Sequence, residues 1–171
     1  GELITEPVVS DGFVVSDTGR DILKMAVIEK NRGSGRTGIG FVRGFGLKRG
    51  AIASSVAHDA HNYSCVGVDD ESMSTAFEYL AKNSGGLVVT DGAEVLASLA
   101  LPIGGLMSDS SPEELARATS RMLEASRSLG CAMPQPFMTM SFLSLSVVPE
   151  LKLTDQGYVN AAENRLVELF V

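Results

Sequence analysis

A capped amphipathic helix, set in a chain otherwise rich in glycine and short β-branched runs, constrains the fold more than any other feature. Ser111 precedes Pro112 and Glu114, the pattern of a capping box with proline in the first turn. Apolar residues then recur at helical spacing until Gly130, a residue type that commonly ends helices. The buried face is predicted to consist of Leu115, Ala118, Met122, Ala125 and Leu129. This segment therefore needs an apolar layer to pack against.

A second amphipathic stripe lies earlier in the chain. Asp69 or Asp70 can accept hydrogen bonds from its first turn, and Gly85 follows its end. Its predicted buried residues are Met73, Ala76, Phe77, Leu80 and Ala81. The stripe predicts another helix, so the chain carries two.

The remaining segments favour strands. Asp11-Gly12 and Asp91-Gly92 are turn dipeptides between β-branched runs and predict hairpins. Further strands are predicted at residues 23–30, 39–42, 51–57 and 63–68. Alternation at 138–142 and again at 143–147 indicates extended structure with a bulge or break between the two runs. The class predicted is α+β, with a mainly antiparallel or mixed β-sheet and two inserted amphipathic helices.

Length and charge limit the kind of protein. The 171 residues fit a single domain, residues 1–171, with a real core. A net charge of −7 argues against a nucleic-acid partner, although an uncharged nucleobase remains possible. No apolar run approaches the ~20 residues that span a bilayer, so no membrane partner is expected. The two cysteines favour a reducing compartment, by default the cytoplasm.

Both histidines of the chain fall in one short motif. His58 and His61 flank Asp59, and Asn62 follows directly, at a predicted strand end or loop. An imidazole can transfer protons or bind a metal, while a neighbouring carboxylate or amide can orient it or hold a polar substrate. A polar turn without chemistry explains the same residues. No third histidine or cysteine pair completes a zinc shell, so we assign no metal ligand in this chain.

Four segments resemble the C-terminal region of bacterial and archaeal adenine deaminases. They are GIGFVRGFGLKRGAIASS at 38–55, which runs into the histidine motif, LPIGGLMSD at 101–109, PFMTMSFL at 136–143 and PELKLTD at 149–155. With this resemblance, His58, Asp59 and His61 become candidate accessory catalytic residues, with Asp59 and Asn62 orienting the imidazoles. Asn62 and Ser55 become candidate substrate contacts.

The resemblance implies an enzyme of the amidohydrolase superfamily. In such enzymes a (β/α)₈ barrel holds divalent metal, here expected to be Mn, Fe or Zn, and converts adenine to hypoxanthine by hydrolysis. A barrel of that kind needs roughly 250 residues. We therefore expect the barrel on an N-terminal portion outside this chain, with no cofactor bound by the chain itself and no activity in isolation. The expected partners are that barrel, adenine and further copies in a homo-oligomer.

Two alternatives stay open from the residues alone. The domain can be a non-catalytic module that only builds an oligomer, in which case the histidine motif is a structural turn. It can also be a stand-alone domain that binds a purine or a metal. The resemblance favours the accessory domain of an adenine deaminase over both.

Overall fold

A computed structural model describes residues 2–170 of the chain. In chain order the strands are β1 (Val8–Ser10), β2 (Phe13–Val15), β3 (Ile22–Ile28), β4 (Thr37–Arg43), β5 (Ala51–Ser54), β6 (Tyr63–Gly67), β7 (Gly86–Asp91), β8 (Glu94–Ala100), β9 (Leu151–Thr154), β10 (Gly157–Asn160) and β11 (Arg165–Val167). The helices are α1 (Asp70–Lys82), α2 (Pro112–Ser128) and α3 (Pro136–Leu143).

The main sheet contains six strands in the order β4-β3-β6-β5-β7-β8. Every neighbouring pair in it is antiparallel. The hairpins predicted around the Asp11-Gly12 and Asp91-Gly92 turns are the β1–β2 and β7–β8 pairs. The predicted α+β class with a mainly antiparallel sheet is confirmed.

The two predicted helices are present with their predicted caps. Asp69 accepts a hydrogen bond from the backbone N–H of Ser72 at the start of α1. At the start of α2, Ser111 and Glu114 form the reciprocal capping box. The buried face of α2 centres on Met122, whereas Leu115 is only half-buried. The capping residues thus predicted the start of both helices correctly from the sequence.

The extended structure expected after residue 137 is wrong, because residues 136–143 form the helix α3. Pro136 occupies its first turn, where a missing N–H and a fixed φ do no harm. Apolar alternation over five residues is too short to separate a strand from a buried helix. Packing of α3 against β5, β6 and β9 decides the outcome.

The main sheet has an apolar layer on each face. Helix α1 covers one face, where Ala53, Met73 and Leu80 belong to one buried cluster. On the other face α2, α3 and β9 enclose a larger cluster that includes Ile52, Met122, Met140 and Leu153. Both faces of the sheet are thus buried, which explains why β5 is buried at every residue.

A small sheet of order β11-β10-β9 packs on the edge strand β4. Glycine permits the approach: a Cβ on Gly40 would lie 2.6 Å from the ring of Tyr158, and one on Gly38 would collide with the carbonyl oxygen of Thr154. The Tyr158 hydroxyl accepts a hydrogen bond from the N–H of Phe41 and donates one to its carbonyl, each at 2.6 Å. It thereby satisfies backbone groups that the edge strand leaves unpaired.

The strand register gathers the family-like segments at one end of the main sheet. Ile28, the last residue of β3, pairs with Thr37 and Tyr63, the first residues of β4 and β6. Ser54, the last residue of β5, pairs with Leu87 near the start of β7. The loops 29–36, 55–62 and 101–111 therefore emerge side by side, at what we call the loop end of the sheet.

Candidate functional site

The histidine motif forms a tight turn at the loop end, which we call the His58 turn (residues 55–62). It connects β5 to β6 and is closed by a hydrogen bond from the N–H of His61 to the carbonyl oxygen of Ala57, at 2.7 Å. His61 has a φ of 50°, in the left-handed region that residues with a side chain seldom adopt. Such backbone conformations occur often at functional sites, where the surrounding structure holds them in place.

His58 is held by helix α3. Its Nδ1 lies 3.1 Å from the hydroxyl oxygen of Ser141, and its ring stacks on the ring of Phe142 with centroids 4.9 Å apart and an interplanar angle of 4°. The Ser141 hydroxyl donates its own hydrogen to the carbonyl oxygen of Met138, at 2.7 Å. With that hydrogen directed to Met138, we assign the hydroxyl as acceptor of a hydrogen bond from Nδ1–H of His58, which puts the lone pair of the neutral imidazole on Nε2.

Asn62 does not orient either histidine, contrary to expectation. Its side chain is buried, accepts from the N–H of Lys30 at 3.3 Å and donates to Asp155 at 3.2 Å. The other oxygen of Asp155 lies 2.9 Å from the Arg36 guanidinium. The amide thus links the His58 turn to the loop after β3 and to the β9–β10 turn.

Asp59 and His61 are less constrained. Asp59 is exposed and forms no side-chain hydrogen bond or ion pair with other residues in the 2–170 range. His61 is half-buried, and its Nδ1 is shielded from solvent without a hydrogen-bond partner in the described part of the chain. A shielded ring nitrogen without a partner is costly and is a candidate contact for a group that the chain does not itself supply.

Asp59 and Asn62 line a cleft of about 380 Å³. Its other walls are residues 144–146 after α3 and the β9–β10 turn, where Asp155 and Gln156 supply polar atoms. This volume lies near the lower end of the range found for small-molecule sites. The cleft has room for a small planar ligand and offers amide, hydroxyl and carboxylate groups.

Ser55 lies apart from this cleft. Its hydroxyl accepts from the N–H of Gly86 at 2.8 Å and donates to the carbonyl oxygen of Gly105 at 2.5 Å. The residue has no exposed surface. The hydroxyl is thus occupied in joining β5, β7 and the loop 101–107, and we give Ser55 a structural role.

Glu29 organises the loop beside the His58 turn and was missed in the sequence. Its carboxylate accepts from the N–H groups of Asn31 at 2.5 Å, Arg32 at 2.6 Å and Ser34 at 3.1 Å. Burial opposes its ionisation, but these bonds outweigh burial and lower the pKa of Glu29 to about 2. Asn31 in turn donates its amide to the carbonyl oxygen of Ala60, at 2.9 Å. A glutamate directly after an apolar strand and before Asn, Gly and Ser was the available signal.

Ser141 and Phe142 are the other site residues that sequence reasoning missed. Both lie in a segment that carries the family resemblance, but their order in the chain gives no sign of contact with His58, which is 83 residues from Ser141. The local hint was a buried polar residue, Ser141, in a helix whose other polar residue is Thr139.

The residues of the His58 turn do not fit a metal site. Across residues 2–170, no group of three His, Cys, Asp or Glu side chains is arranged to hold an ion. The Nδ1 of His58 is already occupied by Ser141, and no carboxylate completes a shell with the two imidazoles. Within the same range, none of the helices is both long and apolar enough to cross a membrane.

The four segments that resemble adenine deaminases meet at the His58 turn. Ser55 binds Gly105 of the second segment, and His58 contacts Ser141 and Phe142 of the third. Asn62 binds Asp155 of the fourth. Segments far apart in the chain thus build one structural unit.

Comparison with known proteins decides the family. The model of the adenine deaminase C-terminal domain matches residues 1–165. The chain belongs to the adenine deaminase C-terminal domain family. The resemblance read from the four segments is confirmed.

Curated relatives agree with this family assignment. An adenine deaminase of Methanothrix thermoacetophila is 50% identical over 169 residues, which cover 99% of this chain and 30% of the relative. One of Archaeoglobus fulgidus has the same identity and coverage. One of Listeria monocytogenes is 45% identical over 166 residues, which cover 96% of this chain and 29% of the relative. The chain thus spans about 30% of the length of these relatives.

Proposed function

We propose that this chain is the C-terminal domain of an adenine deaminase and that its His58 turn forms part of the active-site wall. In this proposal the domain packs against a metal-dependent barrel of the same enzyme, which hydrolyses adenine to hypoxanthine and ammonia. The observation that carries it is the convergence of all four family-like segments on one turn that contains both histidines.

The chain's own contribution would be to position groups around the purine. Ser141 and Phe142 fix the His58 ring, so Nε2 can accept a hydrogen bond from a substrate N–H, or take up a proton from the attacking water and then pass that proton to the departing ammonia. His61 offers a second ring nitrogen that has no partner within residues 2–170. Metal in the barrel would supply the activated water, and no described residue of this chain would bind that metal.

The proposal includes the metal, the metabolic role and the cellular compartment of the enzyme. The expected metal is Mn, Fe or Zn, and the role is in purine metabolism. Both cysteines are free and buried, and burial raises the pKa of the Cys65 and Cys131 thiols. Unreactive thiols of this kind support a reducing compartment, and we place the enzyme in the cytoplasm.

Kinetics of the full-length enzyme test the proposal. His58→Ala and His61→Ala should each lower kcat/KM for adenine by about tenfold or more, which corresponds to ~1.4 kcal/mol of lost transition-state stabilisation per factor of ten. Metal content and melting temperature should stay near those of the unmodified enzyme, because neither histidine is a ligand or a core residue. Glu94→Ala, an exposed change at the opposite end of the main sheet, is the control. Normal kinetics in both histidine variants would refute the site.

A non-catalytic oligomerisation module is the second candidate, because the described surface includes exposed Phe and Met side chains. Normal kinetics of both histidine variants together with a change in oligomeric state on mutating that surface would favour it. Binding of adenine or Mn²⁺ by the 171-residue chain alone, measured by calorimetry, would instead favour a stand-alone binding domain.

A further inference from the structure

We infer that one exposed apolar surface, formed by α3 and the turns after it, is where this domain docks on the catalytic domain of the same polypeptide. We call this surface the α3 face and define it by Met138, Phe142, Val147 and Val148, which are 53%, 46%, 74% and 41% exposed. The inference rests on the proposed function and names the surface through which that function would operate.

Helix α3 is apolar on both of its sides. Met140 is fully buried against the core, whereas Met138 and Phe142, four residues apart, share the outer side. Helices that are hydrophobic all round are normally buried on all sides. The outer side of α3 therefore has the composition of a covered surface.

Two turns extend the outer side of α3 without a break. The N–H of Leu145 donates to the carbonyl oxygen of Phe142 at 3.3 Å, and the N–H of Val148 donates to Leu145 at 3.2 Å. These bonds hold Val147 and Val148 close to the end of the helix. The exposed apolar residues are thus presented on a compact support.

The α3 face also lacks charge. From Ser128 to Pro149 the sequence contains no Asp, Glu, Lys, Arg or His, although charged residues make up 20% of the chain. The centres of protein interfaces are depleted in charged residues and enriched in Met and aromatic residues. If the α3 face were in contact only with water, we would expect charged residues on it, as on the rest of this acidic protein.

The position of the face indicates what covers it. Phe142 is half-exposed on one side and stacks on His58 on the other, so a partner on the α3 face also borders the His58 turn. Under the proposed function that turn borders the active site, which lies in the catalytic domain. The relatives provide such a partner, because this domain accounts for only about 30% of their length. A second copy of the chain seated symmetrically on the α3 face would instead bring two His58 turns together.

Photo-crosslinking in the full-length enzyme tests the inference. A photoreactive amino acid at position 138 should link to peptides of the catalytic domain. Ile39, on the edge strand β4, is also 53% exposed and serves as the matched control position. Mixing ¹⁴N- and ¹⁵N-labelled enzyme before irradiation distinguishes links within one polypeptide from links between copies. Links between copies, no links at 138, or equal yields at 138 and 39 would each overturn the inference.

A charge-introducing variant gives a second measurement. Met138→Glu should lower kcat/KM of the full-length enzyme by about tenfold or more, because docking would bury the new carboxylate. The same change should barely shift the melting temperature of the 171-residue chain, in which Met138 already faces water. Ile39→Glu is the control and should preserve activity. A large loss of stability in the chain alone would mean that Met138 belongs to the core and not to a docking face.

The docking inference and the proposed function can fail separately. If His58→Ala lowers kcat/KM while position 138 links to a second copy, the docking inference is wrong and the site stands. If position 138 links to the catalytic domain while both histidine variants have normal kinetics, the docking face stands and the catalytic role of the turn is wrong.

Discussion

His58 and Phe142 lie ring to ring, with centroids 4.9 Å apart and planes inclined by only 4°. Ser141, the neighbour of Phe142, holds Nδ1 of the same imidazole at 3.1 Å. Two consecutive residues of α3 thus fix both the plane of the His58 ring and its rotation within that plane. An imidazole held in this way is pre-organised for directed contact through Nε2.

Ser141→Ala should release His58 without removing it. Because the hydroxyl is assigned as acceptor of a hydrogen bond from Nδ1–H, the variant should lose the preference for the Nδ1-protonated tautomer. Nitrogen-15 spectra of the imidazole in the 171-residue chain measure this preference directly. In the full-length enzyme kcat/KM should fall, but by less than in His58→Ala.

Two results would contradict this assignment. The first is a neutral His58 in the unmodified chain that has its proton on Nε2. The second is a Ser141→Ala variant whose tautomer ratio at His58 equals that of the unmodified chain. Thr139→Ala is a matched control on the same helix, since within residues 2–170 the Thr139 hydroxyl bonds only to the carbonyl oxygen of Gln135. That variant should leave the His58 spectrum unchanged.

Glu29→Gln should change how stability depends on pH. The pKa of Glu29 is lowered to about 2 in the folded chain, while an unfolded glutamate titrates near 4.5. The folded state thus binds this proton less readily, so the contribution to stability is present above about pH 4.5 and is lost as pH falls toward 2. The unmodified chain should therefore be more stable than the variant at neutral pH, and the difference should shrink across that window.

Urea denaturation between pH 2 and 7 measures this difference. Glu78→Gln is a suitable control because Glu78 is exposed and, among the described residues, pairs only with Lys82, one helical turn away. The unfolding free energies of Glu29→Gln and of the unmodified chain are compared at each pH. A difference that stays constant from pH 4.5 to 2 would show that the ionised form of Glu29 does not stabilise the folded chain.

Helix α2 should respond more to loss of its core residue than to loss of its cap. Ser111→Ala removes one side of the capping box and should cost about 1 kcal/mol of unfolding free energy. Met122→Ala opens a cavity at a fully buried position and should cost about 2–5 kcal/mol. Leu115→Ala should fall below Met122→Ala, because Leu115 is only half-buried. Equilibrium urea melts give the order, and a Leu115 variant less stable than the Met122 variant would contradict it.

Features set by neighbouring residues could be predicted from the sequence, and features set by distant ones could not. The Asp69 and Ser111 caps and the two Asp-Gly hairpins depend on contacts within a few residues. Helix α3 depends on packing against strands that lie far before it, β5 and β6, and after it, β9, so its short apolar alternation was misleading. The support of His58 depends on a residue 83 positions away, which no local pattern reveals.

The candidate site divides in the same way. The histidine motif stood out because it holds both histidines of the chain, and the structure places it at the loop end as expected. Its hydrogen bonds differ from expectation, since the Asn62 side chain bonds to Asp155 and Lys30 instead of an imidazole. Composition thus indicates a candidate site, while hydrogen-bond partners depend on the register of distant strands.

The loop 101–107 provides a matched pair of glycines for a final prediction. Gly104 and Gly105 have φ values of 67° and 75°, so alanine at either position carries a similar backbone penalty of roughly 1–2 kcal/mol. A Cβ on Gly104 meets no atom within 4 Å. A Cβ on Gly105 would collide with Nζ of Lys30 and lie 3.1 Å from the carbonyl oxygen of Ser84. Gly105→Ala should therefore cost about 1 kcal/mol more than Gly104→Ala, the net value of the hydrogen bond that the flexible Lys30 side chain gives up when its ammonium moves aside.

A double-mutant cycle identifies the cause of the extra cost. Lys30 donates to the carbonyl oxygen of Gly104 at 2.6 Å, so the ammonium is held where the new methyl group would lie. In a Lys30→Ala background, the difference between Gly105→Ala and Gly104→Ala should shrink, because the obstructing group is gone. Urea midpoints of the unmodified chain, the three single variants and the two double variants provide the cycle. One contradicting result would be equal losses of unfolding free energy in Gly104→Ala and Gly105→Ala. Another would be a difference between them that Lys30→Ala leaves unchanged. Either result would show that Lys30 does not cause the close packing of this loop against the His58 turn.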